Sequence, residues 1–148
     1  MPIQWTWRAG ALTNAEGHEL ASVRDGVLAT TAGERLTLES SLDSSSPRFF
    51  LRAQTAAGED FSVSQAGITI TRLRAACGER EYLLERRNPF RRERRIVARR
   101  SGAEVASTAP AGDGLRVSVG VGELPELDAI FLSYACALLD ATPRTLRT

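Results

Sequence analysis

Leu127-Asp-Ala-Ile-Phe-Leu-Ser-Tyr-Ala-Cys-Ala-Leu-Leu139 is the stretch on which the fold turns. It follows Pro125, carries Glu123, Glu126 and Asp128 around its first turn, and stops before Pro143. Negative charge suits the N-terminal end of the helix macrodipole and proline blocks continuation, so this punctuation predicts a helix over 126–140. With Tyr counted as apolar, Ser133 is the one polar residue between Ala129 and Leu139, and no face is left for water. A helix apolar all round is buried, either in a fold or in a bilayer. Spanning a bilayer takes about 20 apolar residues, more than this run supplies, so the rest of the chain must wrap it.

The segments upstream have the period of strands. Ile3, Trp5 and Trp7 share one face of an extended segment, with Gln4, Thr6 and Arg8 on the other. Turn signals at Asn14–Gly17, Asp25-Gly26, Ala32-Gly33, Ala57-Gly58, 65–67, Cys77-Gly78, Asn88-Pro89, Ser101-Gly102 and Pro110–Gly114 separate further strands. These are expected at 20–23, 27–31, 34–39, 48–54, 60–64, 68–74, 80–86, 91–99, 104–109 and 115–121. Leu42–Pro47 reads as an internal loop, because the strands on either side are too few to fold separately. The whole chain, 1–148, is expected to be one domain.

Short strands at hairpin spacing followed by one helix are the pattern of an antiparallel sandwich or barrel. Geometry favours the barrel. A wall around a helix about 10 Å across has a circumference near roughly 63 Å, and tilted strands take up about 6 Å each. The fold class is therefore mostly β, an antiparallel barrel of about ten to twelve strands wrapped around a buried C-terminal hydrophobic helix. Burying Leu127, Ile130, Phe131, Leu132, Leu138 and Leu139 contributes at most on the order of 9–18 kcal/mol, as much as the whole net stability of an ordinary domain.

A meander of strands, a Tyr82-Leu-Leu-Glu-Arg86 strand, an Arg95-Ile-Val-Ala-Arg-Arg-Ser-Gly102-Ala-Glu-Val hairpin and a last apolar helix follow one another in that order. The order resembles the tubby C-terminal-like superfamily, which includes tubby proteins, LURP-one-related proteins and phospholipid scramblases. The resemblance spans about Trp5 to Leu139. It implies a barrel around a buried helix and a role in phosphoinositide binding or at membranes. The Cys-rich palmitoylation segment and Pro-rich arm of scramblases are absent, and tubby's phosphoinositide-binding residues do not align onto individual positions here.

All nineteen basic residues are Arg, which codon bias in a GC-rich genome explains without invoking function; with eighteen acids the net charge is +1. Eight of those Arg fall in one stretch: Arg86, Arg87, Arg91, Arg92, Arg94, Arg95, Arg99 and Arg100, against Glu93 alone. That is a local +7, which leaves −6 for the rest. The stretch reads either as an anion-binding patch for lipid headgroups or other phosphates, or as a solvated hairpin paired to Glu81, Glu85 and Glu93. Register decides between them. A three-residue loop at Asn88 would set Glu85 opposite Glu93, and a two-residue loop would set it opposite Arg92.

Nucleic acid is disfavoured, since only Tyr82 and Phe90 could stack among the basic residues. His18, the one histidine, has no nucleophile beside it, and Cys77 (in a turn) and Cys136 lack metal-ligand spacing. Gly120-Val-Gly122 lacks the third glycine of a dinucleotide site. Trp5 and Trp7 read as wall packing. No catalytic residue, metal or cofactor is indicated. The expectation is a non-enzymatic binding module, cytoplasmic and peripheral to a membrane, whose partner is an anionic membrane surface or a phosphate-bearing ligand. The alternative is a calycin-like carrier of a small apolar ligand, whose helix would pack outside the barrel.

Overall fold

A computed structural model describes residues 2–43, 46–120 and 124–141. Twelve strands run in chain order: β1 (Ile3–Arg8), β2 (Ala11–Asn14), β3 (Glu19–Arg24), β4 (Val27–Thr30), β5 (Arg35–Ser40), β6 (Phe50–Thr55), β7 (Asp60–Gln65), β8 (Arg72–Cys77), β9 (Arg80–Arg86), β10 (Arg94–Ala98), β11 (Glu104–Ala111) and β12 (Gly114–Val119), followed by the helix α1 (Glu126–Asp140). Each strand pairs antiparallel with the next, and β1 pairs with β12, so the sheet closes into a barrel. Closure removes the exposed edges through which sheets aggregate.

Inward positions hold Trp5, Trp7, Leu12, Leu28, Leu36, Leu51, Phe61, Val63, Leu73, Leu84, Ile96, Leu115 and Val117, all buried, and α1 fills the space between them. Phe131 meets Phe61 of β7 edge-on at 5.4 Å, and Tyr134 meets Trp7 of β1 at 5.2 Å. The helix is wholly buried from Asp128 to Ser133, whereas Leu127, Leu138 and Leu139 are half-buried at the barrel mouths. Those three leucines therefore contribute less than the roughly 1.5–3 kcal/mol each that full burial would give.

Several local expectations are corrected. β2 was not expected, because its turn is Ala9-Gly10, with φ of 52° and 80°, and alanine gives no turn signal. Residues 68–71 are not strand. Leu73, Ala75 and Cys77 face inward, so one continuous strand would have turned Thr69 and Thr71 into the core and Ile68 outward; the chain bends instead. Cys77 is not in a turn but ends β8, buried. Glu123, Pro143, serines 44 and 45, and Val121 and Gly122 lie outside the described residues.

The strand pairings sort the connections onto two rims. Segments 15–18, 31–34, 56–59, 78–79 and 99–103 share the upper rim, where α1 starts. Segments 9–10, 25–26, 41–43, 46–49, 66–71, 87–93 and 112–113 share the lower rim, where α1 finishes. Among the described residues no helix is long and apolar enough to cross a membrane.

Candidate anion-binding surface

The Arg-rich stretch does not form one patch. Register is set by Arg94 opposite Arg86, Arg95 opposite Glu85 and Ile96 opposite Leu84. The loop is longer than either expectation allowed, since the Arg87 N–H donates to the Glu93 carbonyl across it. Glu85 therefore faces neither Glu93 nor Arg92. The same register turns Tyr82, Leu84, Arg86, Arg94 and Ile96 inward.

Arg94 is fully buried and the Arg86 side chain is 13 % exposed, and both hold Asp140, the last residue of α1. The Arg86 Nη2 donates to Asp140 Oδ1 at 2.8 Å; Arg94 donates from Nε to Oδ2 and from Nη2 to Oδ1, the latter at 3.2 Å. Two guanidinium groups face one carboxylate and the negative end of the helix dipole, which together offset most of their charge. Arg86 Nε and Arg94 Nη1 are buried without a hydrogen-bond partner among the described residues.

A matching anchor holds the start of α1. Arg80 grips Asp128 bidentately at 2.7 and 3.0 Å, and the Tyr82 hydroxyl donates to the same carboxylate at 2.6 Å. The hydrogen bond to Asp128 raises the Arg80 pKa further, and burial followed by that bond pushes the Tyr82 hydroxyl up. Midway, Ser133 accepts from Trp7 Nε1 at 2.8 Å and donates to the Ile130 carbonyl at 3.1 Å.

Of the other six candidates, four lie on the lower rim. Arg95 pairs with Glu85 at 3.2 Å, and Arg72, which the sequence reading did not single out, takes the same carboxylate at 3.1 Å. Arg87 reaches Glu104 at 2.6 Å, and Arg91 lies 4.0 Å from Glu93. Arg92 is exposed, with no ion pair among the described residues. Arg99, 3.5 Å from Glu81, and Arg100 sit on the upper rim, separated from the rest by the length of β10.

A cleft of about 440 Å³ opens on the lower rim, lined by Thr71, Arg72, Glu85, Arg86, Arg87, Pro89 and Arg95. It thus has four guanidinium groups around one carboxylate. Arg86 connects it to the interior, because the same side chain lines the cleft and holds the end of α1. Parity could have revealed this arrangement: Arg86 lies four residues from Tyr82 and so on the same strand face. Asp140 offered a further signal, since a carboxylate at a helix C-terminus opposes the dipole and calls for cations.

His18 is exposed in the 15–18 turn, and Trp5 and Trp7 are buried in the wall against α1. The axis where a calycin-like carrier would hold its ligand is occupied by Phe131, Leu132, Ala135 and Cys136, all buried. Comparison with known proteins yields no matching family model, no similar curated protein and no similar solved structure.

Proposed function

We propose that the chain is a tubby-like, non-enzymatic barrel domain that binds a phosphate-bearing anion at the lower-rim cleft beside the β9–β10 loop. The tubby-like part of this reading is supported by a barrel wrapped around a C-terminal helix, the architecture that the resemblance implies. The single observation that carries the anion is the cleft's lining, where Arg72, Arg86, Arg87 and Arg95 stand around Glu85, Arg86 also holding Asp140 and Arg87 also holding Glu104. Arg72 and Arg95 divide one carboxylate between them, so both retain donors for a further acceptor. Guanidinium donors are matched to phosphate oxygens in planar, bidentate geometry. Arg91 and Arg92 at the loop tip add positive potential that steers an anion toward the opening.

The test is binding of inorganic tripolyphosphate by calorimetry and of anionic vesicles by sedimentation, for the unmodified protein and for Arg87→Glu/Arg91→Glu/Arg92→Glu. The triple reversal should abolish sedimentation and weaken tripolyphosphate binding about tenfold or more, while the thermal melt stays where it was because all three side chains are exposed. An unmodified protein that binds neither probe at low salt refutes the reading.

A further inference from the structure

Four large apolar side chains stand exposed among the described residues: Ile3, Leu42, Ile68 and Phe90. Three of them share one rim. Phe50 is opposite Ser64, Arg72 is opposite Glu85, and the Arg86 N–H donates to the Thr71 carbonyl. Segments 41–43 and 46–49, 66–71, and 87–93 are therefore neighbours on the lower rim, and Leu42, Ile68 and Phe90 belong to them in that order. Leu42 is 61 % exposed, Ile68 92 % and Phe90 93 %. Arg48 ties the first two loops together, its Nη2 donating to the Gly67 carbonyl at 2.7 Å.

The charge around them is one-sided. This sector of the lower rim carries Arg48, Arg72, Arg87, Arg91, Arg92 and Arg95 against Asp43, Glu85 and Glu93, six against three, or +3. Four of the five upper segments instead bear Glu16, Glu34, Glu59 and Glu79 and no Arg; the fifth holds Arg99 and Arg100. The barrel thus has a basic, apolar-tipped sector at one end and mostly acidic turns at the other.

Single exposed apolar residues are ordinary on any surface, but three on adjacent loop tips ringed by Arg are not scattered. We infer that these loops form a membrane-docking face, with Ile68 and Phe90, flanked by Leu42, entering the headgroup–acyl boundary of an anionic bilayer while the surrounding Arg engage phosphates. This rests on the anion-binding reading and names its source as lipid. A soluble phosphate would engage the Arg and leave Ile68 and Phe90 in water. The tips protrude from separate loops, so a rigid partner would need a matching hole for each, whereas a fluid bilayer moulds to them. Apolar insertion combined with basic attraction to anionic lipid is how peripheral proteins attach. Docked this way, the four upper-rim Glu turns face away from the negative surface.

The experiment compares the unmodified protein with Ile68→Ser/Phe90→Ser on phosphatidylcholine vesicles containing phosphatidylserine, at low and at high salt, with tripolyphosphate binding measured in parallel. Apolar insertion resists salt and the Arg attraction does not. The unmodified protein should keep part of its vesicle binding at high salt. The double variant should lose that part, about tenfold or more, and bind tripolyphosphate as before. Equal vesicle binding by the two proteins at both salts overturns the inference. So does an unmodified protein that binds tripolyphosphate but no vesicles, which leaves the anion reading standing; failure to bind tripolyphosphate removes that reading instead. Self-association that the double variant abolishes, without vesicle binding, assigns the tips to a second copy of the chain and also overturns it.

Discussion

Asp140 is the residue on which the lower half of the interior depends. Its carboxylate is fully buried, holds two guanidinium groups, and sits at the end of a helix whose own dipole repels it. Asp140→Ala leaves Arg94 buried and uncompensated, a loss of about 3–5 kcal/mol in the stability read from urea denaturation. Adding Arg86→Met and Arg94→Met to that variant should recover most of the loss, since replacing a whole buried ion cluster with apolar side chains is often neutral. A single variant that loses under about 1 kcal/mol would show that the clamp contributes no net stability. The thiols give a second prediction. Burial raises the pKa of both Cys77 and Cys136, the latter to about 12. An unfolded thiol ionises near about 8.5, so between there and the native value the unfolded chain has lost protons that the native chain keeps. Stability is then fully present below about pH 8 and declines as pH rises above it, and Tyr82 adds to the decline above about pH 10. The urea midpoint measured across that window should fall, and Cys136→Ala should flatten the fall. A midpoint that holds steady to about pH 11 contradicts the burial of these groups.

Among the elements, β9 and α1 work as a matched pair. Arg80 and Arg86 lie six residues apart on a strand, about 20 Å at roughly 3.3 Å each, and their partners Asp128 and Asp140 lie twelve apart on a helix, about 18 Å at 1.5 Å each. The two elements run in the same direction, so one strand reaches both ends of the helix. This fixes how deep α1 sits, because one turn of slippage, about 5.4 Å, would carry both carboxylates away from their guanidinium partners and set Ala135 or Cys136 where Leu132 packs. The burial of α1 was legible from the run 127–139, and most hairpins from their glycines; Asp25-Gly26, with φ of 52° and 76°, is an example. What could not be read was loop length and, on β10, where Ile96 and Val97 are both apolar, which face Arg94 takes. Ala9 adopts the same left-handed φ as Asp25 with no residue preference to announce it. The β9–β10 loop is longer than its Asn88-Pro89 signal implies, closing only at Arg87 and Glu93. One register step decides whether an Arg faces water or the core, so a continuous stretch of eight Arg concealed an internal clamp, a rim cleft and a separate upper pair.

At the scale of the molecule, the wall and the helix complete each other. Twelve strands at about 6 Å each give a radius of roughly 12 Å, more than the bare helix needs, and the extra room holds Trp7, Phe61 and the Arg–Asp pairs. Without α1 the same wall would enclose water against Trp5, Trp7, Leu12, Phe61, Leu115 and Val117, and leave Arg94 unpaired inside. A sheet of this curvature has no second sheet to close against, so loss of the helix exposes the whole inner face at once. A chain ending at Leu124 should therefore show no cooperative thermal transition, collapsed amide dispersion in its NMR spectrum, and strong binding of an apolar dye. Collapse of the wall onto itself is the competing outcome, and it predicts a sharp melt with dispersed amides. The inward Arg86 and Arg94 weigh against that outcome, because a collapsed barrel would bury both with no carboxylate from α1 to receive them.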